Sequence, residues 1–222
     1  MAAVIFDAMS ETHRSRIQLR TVGSSPPKLR KSDRTRKAIL DGALDFLWSR
    51  PFREMTVAQL MSIPGVSRSV FYQYFTDLHD LMETLLGGIE EDIFEAAIPW
   101  FSGEGDPVAL LQESLAGLVR VCYARGPVLR AVADASTADE RLERSWATFL
   151  GKFDDAVTAR IEQQQAESLI PKFDARPIAV ALNRLDASLL IHAFGRRPRS
   201  NPEPVQESLT RIWTSTLYAS TV

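Results

Sequence analysis

From Ser32 onward the apolar residues recur at helical spacing. Ile39, Ala43, Phe46 and Leu47 fall at i, i+4, i+7 and i+8, one apolar stripe on a helix capped by Ser32 or Asp33. That helix is expected to stop near Arg50-Pro51, because a residue before proline is pushed out of the α region. Leu78, Leu81, Met82, Leu85, Ile89 and Ile93 form a longer stripe ending around Pro99 to Gly105. Asp106-Pro107 opens the next helix, with Leu110, Leu111, Leu115, Leu118, Val119 and Cys122 as its stripe. Gly126-Pro127 is expected to terminate it, before a further short helix from Val128 to Ala135. Ala138 to about Leu169 reads as one long helix carrying Leu142, Trp146, Phe149, Phe153, Val157 and Ile161 on one side. Asp174 to Phe194 is another, ended by Gly195 and the Arg196-Arg197-Pro198 turn, and Glu203 to Tyr218 follows Pro202. No run alternates with strand period between hairpin turns, so the pattern predicts an all-α fold of about nine helices without an internal repeat.

The segment Thr56 to Phe75 breaks this regular spacing in an informative way. Thr56-Val57-Ala58-Gln59 is a capping box, in which Thr56 accepts the Gln59 N–H and the Gln59 side chain reaches back. Val57, Leu60 and Met61 give the short helix an apolar face. Pro64-Gly65 ends it in a tight turn where glycine tolerates a positive φ, and Val66 plugs the angle. Ser67 caps a second helix, Arg68 to Phe75. There Val70, Phe71 and Phe75 turn inward, leaving Arg68, Ser69, Tyr72, Gln73 and Tyr74 nearer the outside. Two helices joined by a glycine turn, the second short and polar-aromatic on its free face, make a helix-turn-helix. Such a second helix fits the major groove, where Arg68 can pair with guanine and Ser67 or Ser69 can touch base or phosphate. Tyr72 and Tyr74 suit phosphate oxygens, and suit half-buried packing with wet tips as well.

Charge strengthens the reading only once it is divided along the chain. The 222 residues carry a net charge of −2, unpromising for a nucleic-acid binder. Residues 1–80, however, hold 12 Lys/Arg against 8 Asp/Glu, whereas the remainder hold 14 against 20. Thr12 to Lys37 alone has nine basic residues against Asp33. A basic arm ahead of an acidic body fits one end meeting phosphate, and fits a solvated tail that binds nothing. Gly23 to Pro27 break any helix, so residues 1–32 are expected to be a disordered basic arm. Ala2 to Met9 suit either an added helical turn or a start at Met9. The opening MAAVIFDAM lacks the basic region of a secretory signal. No apolar stretch is long enough to span a membrane, and a single cysteine, Cys122, excludes an internal disulfide framework. A cytoplasmic protein is expected.

TVAQLMSIPGVSRSVFYQYFTDLHDLM resembles the N-terminal domain of the TetR family of bacterial transcriptional regulators. The threonine opening the first helix, the Gly-Val-Ser turn and the Phe-Tyr-x-Tyr-Phe ending carry the resemblance, which extends over nearly the whole chain after residue 32. It implies DNA contacts from Thr56, Ser67, Arg68, Ser69, Tyr72 and Tyr74, with Gln73 beside them. It also implies three parts: the arm over residues 1–32, a three-helix helix-turn-helix domain over 33–78, and a larger helical ligand-binding and dimerisation domain over 79–222. Two positions depart from the family pattern: Val70 stands where threonine is frequent, and Leu78 where a phosphate-contacting lysine is frequent. The basic arm could replace that contact, in which case residues 1–30 steepen the dependence of affinity on salt.

The body resembles, more narrowly, the EthR-like subgroup of that family, through Trp146 to Phe153, Ala181 to Asp186 and Arg211 to Tyr218. That resemblance implies a mostly apolar tunnel anchored by an asparagine pair, of which Asn183 remains and Asp186 replaces the other. A carboxylate there is costly to bury uncompensated. It pairs with a neighbouring arginine, favours a ligand carrying a donor or positive charge, or faces solvent or Arg184 of a partner chain. Trp100, Phe101, Trp146, Phe149, Phe153 and Trp213 are candidate lining residues, although aromatics on helical stripes are more often plain core. Stripes at Ile178, Leu182, Leu185 and Leu189 and at Val205, Leu209, Ile212 and Leu217 exceed what one helix needs for its own core. The resemblance implies that these two helices form a homodimer interface, suited to palindromic operator DNA.

Catalysis is not expected. His13, His79 and His192 lie far apart, adjacent carboxylates such as Asp154-Asp155 diverge on a helix, and no phosphate-cradling glycine loop occurs. Neither a metal nor a cofactor is called for. The expectation is a regulator, most simply a repressor released from DNA by a small, largely apolar effector. The alternative is an all-α small-molecule binding or scaffolding protein whose helix-turn-helix is only structural.

Overall fold

A computed structural model of the chain describes residues 31–62 and 67–218. Residues 1–30 of the basic arm and the Pro64-Gly65-Val66 turn therefore lie outside the described residues, and the last two residues of the expected arm belong to the first described helix. Within them the protein is all-helical. The helices are α1 (Lys31–Ser49), α2 (Val57–Ser62), α3 (Arg68–Phe71), α4 (Leu78–Ser102), α5 (Pro107–Ala135), α6 (Glu140–Ala166), α7 (Ala175–Phe194) and α8 (Pro202–Leu217), with a 3-10 turn at Phe52–Glu54.

The stripe residues Ile39, Ala43, Phe46 and Leu47 are buried, and α1 ends one residue before Arg50-Pro51. Neither Ser32 nor Asp33 caps α1, because the helix already includes both. Asp33 instead sets a negative charge in the first turn, where the helix dipole favours it. Later starts follow their capping signals closely. Asp77 accepts the Asp80 N–H to open α4, Asp106 that of Val108 to open α5, and Asp139 those of Arg141 and Leu142 to open α6.

One expected break is absent. Helix α5 runs unbroken through Gly126-Pro127 to Ala135, so no separate helix begins at Val128. Proline removes the hydrogen bond to the carbonyl four residues back, here Tyr123. Arg199, from the loop between α7 and α8, donates its Nη1 to that oxygen at 2.7 Å. Gly126 serves packing instead of termination, since a Cβ there would lie 2.4 Å from the Phe194 carbonyl oxygen. The glycine lets α5 lie close against the end of α7.

Helix α5 is the central rod, packed against α1, α4, α6, α7 and α8. The apolar stripes of α7 and α8 are largely consumed by this core. Leu182, Val205, Leu209 and Leu217 are buried within the chain, and Ile178, Leu185, Leu189 and Ile212 are half-buried against it. The residues left facing outward are small or polar: Ala181, Arg184 and Ser188 on α7, and Ser208, Arg211 and Ser215 on α8.

Candidate functional site

Thr56 caps α2, and the Gln59 side chain reaches back to its hydroxyl. Its hydroxyl accepts the Gln59 N–H at 3.2 Å and donates to the Gln59 side-chain oxygen at 2.9 Å. Leu60 and Met61 are buried beneath, which seats the helix and leaves Thr56 exposed. Ser67 occupies the extended position before α3, yet its hydroxyl pairs with that of Ser69 at 2.8 Å and caps no backbone N–H. Helix α3 is a single turn, Arg68–Phe71, followed by a tighter turn to Phe75 that replaces the longer helix expected from spacing.

Phe71 and Phe75 anchor this element, fully buried with ring centres 5.5 Å apart. Ser67, Arg68, Ser69, Tyr72 and Gln73 are exposed along one side, Tyr72 at 60%. Tyr74 differs, half-buried and packed on the core. Leu78 is also half-buried against the core, so the position where a lysine is frequent is given over to packing.

Behind this face, the first turns of α4 meet the start of α6. The Arg141 guanidinium grips Glu83 through Nε (3.0 Å) and Nη2 (2.6 Å), and Asp77 through Nη1 (2.9 Å). His79 Nε2 lies 2.6 Å from the Asp139 carboxylate. Hydrogen bonds from Arg141 hold the Glu83 carboxyl below its ordinary value, and the Leu142 backbone N–H, then His79, do the same for Asp139. A second link joins α1 to the body: Arg130 donates to the Leu47 carbonyl at 2.7 Å, and Arg197 and Arg199 sit over the Trp48 ring. Spacing had pointed to none of these contacts, because their partners lie up to 151 residues apart in the chain.

The body contains a cavity of about 100 Å³. All eight residues singled out from the sequence line it: Trp100 and Phe101 from α4, Trp146, Phe149 and Phe153 from α6, Asn183 and Asp186 from α7, and Trp213 from α8. Sequence reasoning missed the α5 wall, Leu111, Ser114, Leu115, Leu118 and Cys122, whose stripe reads as ordinary core. Aromatic pairs set the shape: Trp146 stacks on Phe149 at 5.3 Å and Trp100 meets Trp213 edge-on at 5.7 Å. Small-molecule sites hold roughly 300–1,000 Å³, so this one must widen to take a ligand of ordinary size.

The polar groups of the wall have separate fates. Asn183 donates to the buried Asp154 of α6 at 2.9 Å, and Arg184 forks onto the same carboxylate at 3.1 and 2.8 Å. Arg184 is thereby occupied within its own chain. Asp186 is 6% exposed and receives one donor, the Trp213 indole N–H, 3.0 and 3.2 Å from its two oxygens. Burial pushes its carboxyl up to about 7 against the pull of that bond. Burial, and then the Asp186 charge, push the Cys122 thiol up to about 12, leaving it protonated and unreactive at neutral pH.

Among the described residues no cluster of His, Cys, Asp or Glu could hold a metal, and no helix is long and apolar enough to cross a membrane. Residues 111–219 match the family model of the transcriptional regulator EthR, C-terminal domain. The chain is 25% identical over 185 residues to the HTH-type transcriptional regulator EthR of Mycobacterium tuberculosis, covering 82% of this chain and 86% of that protein. Among solved structures it resembles a TetR-family regulator from Syntrophomonas wolfei, with a TM-score of 0.72 at 15% identity over 84% of this chain and 96% of that one. NalD of Pseudomonas aeruginosa, the secondary repressor of a multidrug efflux pump, matches with a TM-score of 0.67 at 18% identity over 86% and 98%.

Proposed function

This chain belongs to the TetR family of DNA-binding transcriptional regulators, in its EthR-like branch, and from that premise we propose that it is a repressor released from operator DNA by a small, largely apolar effector. It is a regulator and not an enzyme. In this reading α3 enters the major groove, where Arg68 pairs with guanine O6 and N7 and Ser67 and Ser69 meet base or phosphate. Thr56, Tyr72 and Gln73 steady the duplex from the exposed side, with the half-buried Tyr74 beside them. A homodimer through the outward faces of α7 and α8 presents two such elements to a palindromic operator, in the cytoplasm.

The observation that carries the reading is the sharing of helices between the two sites. Helix α4, capped by Asp77, holds Glu83 beside the DNA-binding unit and, about 25 Å farther along its axis, Trp100 and Phe101 in the cavity wall. Helix α6 likewise carries Arg141 at one end and Trp146 to Phe153 over the cavity. A ligand that widens the cavity displaces rods that end at the DNA-binding unit. It acts only through its greater affinity for the displaced state.

Electrophoretic shift with a palindromic fragment of the adjacent promoter tests the proposal. Binding at nanomolar protein, weakened by salt and reversed by a cavity ligand, is expected. Salt-insensitive or absent binding would point to a structural helix-turn-helix, and a tight ligand that leaves DNA affinity unaltered would end the release mechanism.

A further inference from the structure

We propose that the body cavity recognises a protonated amine on an apolar body, its ammonium donating to Asp186 while its hydrocarbon lies among the aromatic rings. The inference rests on reading this cavity as the effector site and names the chemical class that site selects.

Among the described residues Asp186 is the only charged side chain that lines the cavity, and no cation lines it opposite. Its two oxygens share the single Trp213 N–H, which leaves most of their accepting capacity unused at 6% exposure. Buried carboxylates are normally paired, and leaving one unpaired is costly. The nearby arginine does not pair with it: Arg184 and Asn183 both bind Asp154. No described residue completes Asp186, and the cavity is the route by which a group from outside the chain reaches it.

The surrounding wall selects the charge as well. Trp100, Trp146, Phe149 and Trp213 present aromatic surface around the space. Ring faces carry the negative part of the aromatic quadrupole and attract ammonium groups. A neutral hydroxyl could donate to Asp186, but would gain little from the rings and would leave the carboxylate charge uncompensated. An anion would be repelled by Asp186. The remaining lining is mostly apolar, with Ser114 and Asn183 as its other polar residues, and suits an alkyl or arylalkyl body.

Hexylamine and hexanol, of matched length, provide the probes. Their affinities for the full chain are read by calorimetry, or by the fluorescence of the tryptophans in the wall. Hexylamine is expected to bind the wild type at least about 10-fold more tightly than hexanol, the worth of a charge-assisted bond in a buried site. In D186N, with its fold checked by circular dichroism, that ratio is expected to fall to about 1. The wild-type ratio alone decides the matter if D186N does not fold. Equal affinities, a preference surviving in D186N, or no binding of either probe at millimolar concentration would overturn the inference. Hexanol binding without an amine preference would leave the cavity as an apolar effector site. Amine preference without release of operator DNA would uphold the inference and remove the release mechanism instead.

Discussion

Arg68, Asp186 and Tyr74 separate what a side chain's type announces from what its setting decides. Arg68 is exposed at the start of α3, with no carboxylate engaging it among the described residues. Replacement by alanine is expected to weaken specific operator binding by about 1–3 kcal/mol and to relax preference at one base position. Titrations on operator and on random DNA check this, since equal weakening on both would reduce Arg68 to a phosphate contact. Asp186 has a pH signature. Its carboxyl sits near 7 in the folded chain against 3.8 when unperturbed, so the folded state holds the proton more tightly. Between those values the unfolded chain binds fewer protons, and stability falls as pH rises. Of the titratable groups facing it, Cys122 on α5 remains a neutral thiol throughout, and α8 offers only the indole of Trp213. D186N should therefore gain stability over the wild type as pH rises from about 4 to 7, by no more than about 4 kcal/mol at 1.4 per pH unit. Denaturant melts across that range would show a flat difference if the carboxyl were unperturbed.

Helix boundaries were legible wherever a local signal governed them. Asp77, Asp106 and Asp139 accept backbone N–H groups at the starts of α4, α5 and α6, and Pro51 closes α1, because caps and prolines act within a turn of themselves. Gly126-Pro127 carried the same local signal and the opposite outcome. Arg199, distant in sequence, satisfies the freed carbonyl, and the missing Cβ admits the α7 backbone. Gly126→Ala is accordingly expected to lower stability by about 1–3 kcal/mol through overpacking, whereas an isolated helix would gain from the change. Thermal unfolding followed by circular dichroism distinguishes the two, since a raised melting temperature would mean the helices do not approach so closely. The single-turn α3 was likewise illegible, because its pattern suits a longer helix and only the burial of Phe71 and Phe75 tightens its end.

At the scale of the molecule, two rods connect a DNA-facing end to an aromatic-walled cavity. In the proposed repressor reading, a partner copy places a second recognition element on the same operator. With the larger stripe residues of α7 and α8 spent on the chain's own core, the available outward face is made of Ala181, Ser188, Ser208 and their neighbours. Small residues allow helices of two copies to approach closely. Ala181→Glu is expected to convert a dimer to monomer in sedimentation and to lower operator affinity at least about 10-fold, with the helical content unchanged. An unaltered sedimentation profile would place the dimer contact elsewhere.

The amino-acid sequence by itself determined the all-α class, most helix positions, the helix-turn-helix with its exposed Arg68 and Tyr72, and the aromatic set later found around one cavity. These follow from periodicity, caps and residue chemistry, which operate over a few residues. Tertiary structure alone decided that α5 continues through Pro127, that Leu78 and Tyr74 lean on the core, and that Arg141 ties α4 to α6. It also chose among the possible settings for Asp186, by giving Arg184 to Asp154 and leaving Asp186 to a lone indole N–H. Each of these outcomes depends on which groups compete for one partner in space, and pairing between helices leaves no periodic trace along the chain.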